Sequence, residues 1–265
     1  MAKTDVLYEK QDHIGIITLN RPEKMNAMTH EMLDLFENIT KEIRRDDDIR
    51  VVILTGQGRY FCAGTDLSGD VPQAFETELR YMKSKDSTTA AFSQWLFTDI
   101  PKPVICAING PAVGAGAEYP LQCDIRIAAQ SAKWGEVFVR RGLIPDTGAG
   151  TYLLPHIVGI SKACELCFSG EVIDADEMLR IGLVHQVVPD DQLMRAAIEL
   201  AHRFLKAAPL AVQMTKQLLY MGLERTIEHH HEATRYCFQL AARTEDAVEG
   251  VKSFLEKRDP IWKNR

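Results

Sequence analysis

The stretch Arg50–Thr55 (R-V-V-I-L-T) sets Val51, Val52, Ile53 and Leu54 side by side with no polar alternation. A strand written this way is covered on both faces, the habit of parallel strands in α/β proteins. It ends at Gly56-Gln57-Gly58. His13–Leu19 (H-I-G-I-I-T-L) is a second short β-branched run, closed by the turn Asn20-Arg21-Pro22; Pro103–Ile108 and Cys123–Ala128 read as two more strands. Helices are predicted between them. Thr29–Arg45 carries Met32, Leu35, Phe36, Ile39 and Ile43 at helical spacing behind Thr29, a good N-cap residue, and Gln73–Phe97 is also helix-like. Buried strands separated by helices predict α/β layering. Beyond about residue 190 the strand signals stop, and Asp190–Ala207, Pro209–Gly222, Leu223–Arg243 and Thr244–Lys257 read as helices.

With 265 residues, 46% of them hydrophobic, the chain can bury a sizeable core without metal or disulfides. Its formal net charge is −6 and no basic block interrupts it, which argues against nucleic acid as a partner. Asp46-Asp47-Asp48 reads as a solvated turn after a helix. The six cysteines are scattered through apolar segments, the pattern of reduced, buried thiols. Cys164-x-x-Cys167 lies in the helix-like stretch Ser161–Ser169 and has no second pair to complete a zinc site. The residues Met1-Ala2-Lys3-Thr4 carry no apolar leader, and no apolar run approaches the ~18 residues of a membrane span, so a cytoplasmic protein without membrane contact is expected.

Glycines cluster where the strands end. Phe61–Leu67 (F-C-A-G-T-D-L) follows the Arg50–Thr55 strand, Asn109–Glu118 (N-G-P-A-V-G-A-G-A-E) follows the Pro103–Ile108 strand and runs into a helix, and Gly142–Gly148 (G-L-I-P-D-T-G) precedes another. Such loops let backbone come close to a ligand, and a helix start leaves N–H groups free. Two such donors meeting on one oxygen would make an oxyanion hole; by spacing alone the same junctions read equally as plain turns. No phosphate-loop pattern is present.

Together with N-R-P-E-K-M-N-A-M (Asn20–Met28), these segments resemble, in order and spacing, the four signature stretches of the crotonase (enoyl-CoA hydratase/isomerase) superfamily, and G-L-V-H-Q-V-V-P (Gly182–Pro189) resembles the strand before that family's helical tail. The resemblance covers nearly the whole chain. It implies an α/β fold: a right-handed spiral of β-β-α turns over residues 1–205, then a helical region, residues 206–265, that mediates trimerisation, giving a homotrimer or a dimer of trimers. It implies an acyl-CoA thioester as substrate, coenzyme A arriving as part of that substrate and no separate cofactor or metal. The oxyanion donors would be the N–H groups of Thr65 and Ala115, at positions where alanine and glycine are commoner. Coenzyme A would lie over Asn20–Met28 and Ala63–Ser68, near the backbone of Ala27, Ala63 and Leu67, with Lys24 as a phosphate contact, Ser68 at the end of the segment and Asp66 bracing the loop.

For proton transfer the resemblance points to Glu118, which as a carboxylate near the start of a helix reads equally as a dipole partner. The second glutamate of family hydratases should stand four residues before Gly142, where this chain has Phe138; Glu136, two positions early, is expected to point elsewhere unless the loop is reshaped. Asp146 offers a substitute, since some family isomerases and a dehalogenase carry an acid there; its local alternative is to cap a helix beginning near Thr147. The leading expectation is an enoyl-CoA hydratase/isomerase-like enzyme in which Thr65 and Ala115 polarise the thioester and Glu118 and Asp146 handle protons. Thioester hydrolysis or other enolate chemistry on the same fold, and a non-catalytic acyl-CoA- or RNA-binding relative, are the alternatives.

Overall fold

A computed structural model describes residues 4–67 and 97–265. Its frame is a six-stranded sheet in the order β1 (Val6–Gln11), β2 (Ile14–Leu19), β3 (Val51–Gly56), β4 (Val104–Ile108), β6 (Ile125–Ala129) and β9 (Gln186–Val188). β1 and β2 form an antiparallel hairpin; every other neighbouring pair is parallel. A smaller sheet is built from β5 (Ala112–Val113), β7 (Lys133–Gly135) and β8 (Ile173–Asp174). Two of its strands hand the chain to the short sheet: β4 to β5 and on to α2 (Ala115–Leu121), and β6 to β7. Cys62, just after β3, bridges Ala112 and so repeats the pattern one turn earlier. This is the spiral that the sequence resemblance implies.

The uninterrupted apolar writing of β3 has a direct reason. Val52 and Leu54 face one core with Met32, Phe36 and Ile43 of α1 (His30–Arg45), whereas Val51 and Ile53 face a second core with Leu193, Ala197, Leu200 and Ala201 of α6 (Leu193–Leu205). Period-two alternation between two buried faces leaves no polar position. Thr29 caps α1 as expected, its side chain accepting from Met32 N–H at 3.3 Å. Asp46 closes the same helix and pairs with Lys10 at 2.8 Å, and Asp48 meets His13 Nδ1 at 3.0 Å, so the acidic run is a solvated turn tied down at both ends.

The remaining helices are α3 (Leu154–Val158), α4 (Ile160–Ser169), α5 (Ala175–Arg180), α7 (Pro209–Gly222), α8 (Ile227–Ala241) and α9 (Glu245–Glu256). α4 is the predicted helix holding Cys164 and Cys167, both free thiols. α7 is pinned to the sheet by buried Lys216, whose ammonium meets the Asp124 carboxylate at 2.8 Å and the Lys102 carbonyl at 3.0 Å. Among the described residues no helix is long and apolar enough to cross a membrane.

Several expectations shift. β1 is absent from the prediction because V-L-Y-E-K-Q has one buried residue and a polar end. The Asp190–Ala207 helix opens as a 3-10 turn over Asp190–Gln192 and closes at Leu205. The Leu223–Arg243 helix starts only at Ile227, because Thr226 takes the cap and accepts from His229 N–H. The predicted strand at Cys123 begins at Ile125, since Cys123 N–H still donates to Pro120 carbonyl at the end of α2. Gln73–Phe97, apart from Phe97, lies outside the described residues.

Removing the Thr29 cap with Thr29→Ala should cost about 1 kcal/mol of stability. The check is a lower urea midpoint at unchanged slope.

Candidate active site

Three loops meet at the carboxyl ends of β2, β3 and β4. The first, residues 20–28, makes a 3-10 turn, Pro22–Lys24, and then two left-handed residues, Met25 and Asn26 (φ 54° each). Asn tolerates that region better than most residues. Fully buried Asn26 also earns its place by hydrogen bonding: its amide donates to the carbonyls of Gln57 (3.0 Å) and Tyr60 (2.7 Å), and its carbonyl oxygen accepts from Arg21 N–H at 2.9 Å. Arg21 then reaches across, donating to Ala27 carbonyl at 2.6 Å and to the Asp66 carboxylate at 3.1 Å.

The second and third loops are laced together through their backbones. Phe61 and Cys62 N–H donate to Pro111 carbonyl, and Val113 N–H donates to Cys62 carbonyl at 3.0 Å. Met28 N–H donates to Gly64 carbonyl and Asp66 N–H to Met28 carbonyl, each at 2.8 Å, tying in the first loop. Where these loops touch, Gly116 and Gly64 must be glycine. A Cβ on Gly116 would lie 2.3 Å from Cys62 carbonyl oxygen, and Gly64 combines φ +94° with 3.0 Å from such an atom to Val113 carbonyl oxygen. The N–H groups of Thr65 and Ala115 therefore come from segments in contact. Among the described residues, no acceptor takes a hydrogen bond from either amide. Both residues line one cavity of about 250 Å³, together with Met28, Asp66, Tyr119, Asp146 and Thr147 and the first turn of α1.

Besides Glu31 and Asp66, which line that cavity, three more acids lie on it or behind it. Asp146 lines it and is exposed. Glu118, on α2, is fully buried; its carboxylate accepts from Gly150 N–H at 2.8 Å and Thr147 N–H at 3.1 Å. Glu118 is absent from the cavity lining and reaches it through the Thr147 amide. Burial pushes the Glu118 carboxyl up to about 7, helped by nearby Asp146 and opposed by those two N–H groups. α2 is held beneath by Trp134, whose indole N–H donates to Ala117 carbonyl at 2.8 Å.

Glu136 does not line the cavity. It is fully buried close to Glu118: a Cβ on Gly150 would lie 2.8 Å from Glu136 Oε1 and 3.1 Å from Glu118 Oε1. The backbone between Glu136 and Gly142 coils into a 3-10 helix, Val137–Arg141, the kind of reshaped loop on which its placement depends. The signal was present in the sequence as a lone acid inside the apolar stretch Trp134–Val139.

The other singled-out residues divide. Thr65, Asp66 and Ala115 line the cavity, and Asp66 also braces the loops as expected. Lys24 is exposed on its turn, Ala27 has its N–H and carbonyl engaged with Lys24 and Arg21, Ala63 N–H donates to Met25 carbonyl, and Leu67 is exposed. None of these four lines the cavity. Ser68 lies outside the described residues. Asp146 is not the cap of the following helix: that helix is a π-turn, Ala149–Leu153, whose N-cap is Gly148.

The raised Glu118 carboxyl has a consequence for stability. Its ordinary value is 4.5 and its folded value about 7, so between those pH values the folded chain binds more protons than the unfolded chain. Stability from this group is full below about pH 4.5 and is lost as pH rises through 7, by on the order of 3 kcal/mol. Glu136 is raised in the same direction. Urea unfolding at pH 5 and pH 8 should therefore differ more in the parent protein than in Glu118→Gln; equal differences would place Glu118 in the usual carboxylate range.

Comparison with known proteins agrees with this arrangement. The enoyl-CoA hydratase/isomerase family model matches residues 9–265. The (E)-benzylidenesuccinyl-CoA hydratase of Thauera aromatica is 37% identical over 97% of this chain and 98% of its own. The 1,2-epoxyphenylacetyl-CoA isomerase of Escherichia coli is 37% identical over 96% of this chain and 97% of its own. The crystal structure of an enoyl-CoA hydratase from Bacillus anthracis superposes with a TM-score of 0.91 at 32% identity, covering 99% of this chain and 100% of that one. The crotonase fold, the interlaced loops and these relatives lead to one conclusion: the chain belongs to the enoyl-CoA hydratase/isomerase family and is an acyl-CoA-processing enzyme of it.

Proposed function

We propose that the enzyme holds the thioester oxygen of an enoyl-CoA between the N–H groups of Thr65 and Ala115 and moves a substrate proton with Asp146, while Glu118 serves as the second proton-transfer group behind it. The observation that carries this reading is that the residues of two amides without described acceptors line the same cavity as the exposed carboxylate of Asp146, which neighbours Glu118. In the reaction so read, the Asp146 carboxylate removes the C2 proton of a 3-enoyl thioester. The electron pair moves onto the thioester oxygen, where two N–H donors stabilise the charge, and the proton returns at C4 as the double bond settles between C2 and C3. Donors already fixed by the fold need no reorganisation when charge develops. Coenzyme A, entering as part of the substrate, is read as lying over residues 20–28 and 63–68, with the exposed Lys24 ammonium meeting phosphate. No separate cofactor enters this chemistry.

Water addition to a 2-enoyl thioester is the second reading. It is favoured by the name of the Thauera aromatica relative and by Glu118, whose carboxyl near 7 suits exchange of protons at neutral pH. A homotrimer or dimer of trimers fits the apolar side chains that α8 and α9 expose in the single chain, Phe238 at 71% and Phe254 at 80%. Light scattering should report a mass three or six times that of one chain; a monomer would refute this.

The chemistry is tested with 2-enoyl- and 3-enoyl-CoA in deuterated water. Migration of the double bond with deuterium at C4 or C2 identifies isomerisation, and a 3-hydroxyacyl product identifies hydration. Asp146→Asn should lower kcat by ~10²–10⁴. Ala115→Pro deletes one donor at the first helical position, where proline is tolerated, and should cost ~10²–10³ in kcat. Full activity in both variants would refute the proposed roles.

A further inference from the structure

Tyr119 joins the cavity to the core. Among the described residues, the apolar part of the cavity wall comes from Met28, Leu33, Ala115 and Tyr119; the rest of it is polar. Ala115 and Tyr119 stand four residues apart on α2, so they share one face of the helix. Side chains on a helix lean toward its N-terminus, which brings the Tyr119 ring toward the Ala115 end. Only 4% of Tyr119 is exposed, and two rings that do not line the cavity hold it in place. The Phe36 centroid lies 6.0 Å from it and the Phe97 centroid 6.3 Å, the latter edge-on at 89°, and those two rings meet each other at 5.5 Å. Phe36 and Phe97 are themselves fully buried. A stiff ring clamped by two others cannot give way as a flexible thioether such as Met28 can.

We propose that Tyr119 is a specificity-determining residue: its ring is the wall against which the acyl chain ends, and it restricts the enzyme to short-chain acyl-CoA esters. An alkyl chain leaving a carbonyl held at the Ala115 amide gains by running along apolar surface, and on α2 that surface is the Tyr119 ring. In the other direction lie Thr29, His30 and Glu31, against which added methylenes gain little. The space is also small. The cavity holds about 250 Å³, less than the roughly 300–1,000 Å³ of sites that enclose drug-sized ligands. The proposal rests on the reading of the Ala115 amide as the thioester's anchor. It is tested by binding without turnover, so that a failure of the catalytic roles and a failure of the wall are read in different experiments.

The experiment is calorimetric titration with the saturated esters butyryl-, hexanoyl-, octanoyl- and decanoyl-CoA. Each methylene that reaches apolar surroundings should tighten binding about fourfold. In the parent protein that gain should end at hexanoyl-CoA, and the longer esters should bind no tighter. In Tyr119→Ala it should continue to octanoyl-CoA, so that the ratio of octanoyl to butyryl affinity rises by about tenfold or more. Tyr119→Phe keeps the ring and should keep the parent profile. If Tyr119→Ala fails to fold, as near-ultraviolet circular dichroism would show, Tyr119→Leu takes its place and should shift the profile the same way by less. A parent affinity that keeps rising to decanoyl-CoA overturns the proposal. So does a truncated variant that weakens all four esters by the same factor, which is what loss of packing alone would give, or a Tyr119→Phe profile that shifts as far as that of Tyr119→Ala.

Discussion

The lacing of the Cys62 loop to the Ala112 loop governs everything around the cavity. It is a short parallel bridge, with Val113 N–H on Cys62 carbonyl and Pro111 carbonyl taking two donors in return. Those bonds satisfy the backbone groups that leave β3 and β4, and they are made only because α2 can rest on the Cys62 carbonyl where Gly116 has no side chain. Further along each segment, the amides of Thr65 and Ala115 have no acceptor among the described residues, and both residues line the same cavity. In the proposed function these two amides take an electron-rich oxygen without help from a charged side chain.

Around that pair the acids sort by environment. Asp146 is exposed on the cavity, Glu118 is buried with two N–H donors, and Glu136 is buried with none. Burial raises the Glu118 and Glu136 carboxyls above the usual carboxylate range, and for Glu118 the two N–H donors oppose that rise. The helix that Glu118 stands on is held from below by Trp134, so a side chain that reads as ordinary core packing also fixes an acid in place.

How far the sequence could be read follows from what kind of signal each feature leaves. The helix after Thr29 was legible because cap and apolar stripe agree, and β3 because a strand buried on both faces has no polar position to confuse it. The hairpin partner β1 was not, since its side chains are half-solvated and its pairing with β2 is a long-range fact. Thr65, Ala115 and Asp146, singled out by motif order, line one cavity. The position of Glu136 could not be read, because position along a chain converts to position in space only when the backbone path is known, and a 3-10 coil after Glu136 changes that path. That Asp66 braces its loop was legible; that its partner is Arg21, 45 residues away, was not.

Because the two proposed donors are main-chain groups, their spacing is fixed by absent side chains at Gly64 and Gly116 and is indifferent to what Thr65 and Ala115 carry beyond their Cα atoms. The hydroxyl of one and the methyl of the other are free to vary in bulk and polarity beside the bound acyl group. In the proposed function, recognition of the acyl chain would thereby be separated from the grip on its carbonyl, although both are written at the same two residues. A lineage built on this scaffold can change its diet without rebuilding its teeth.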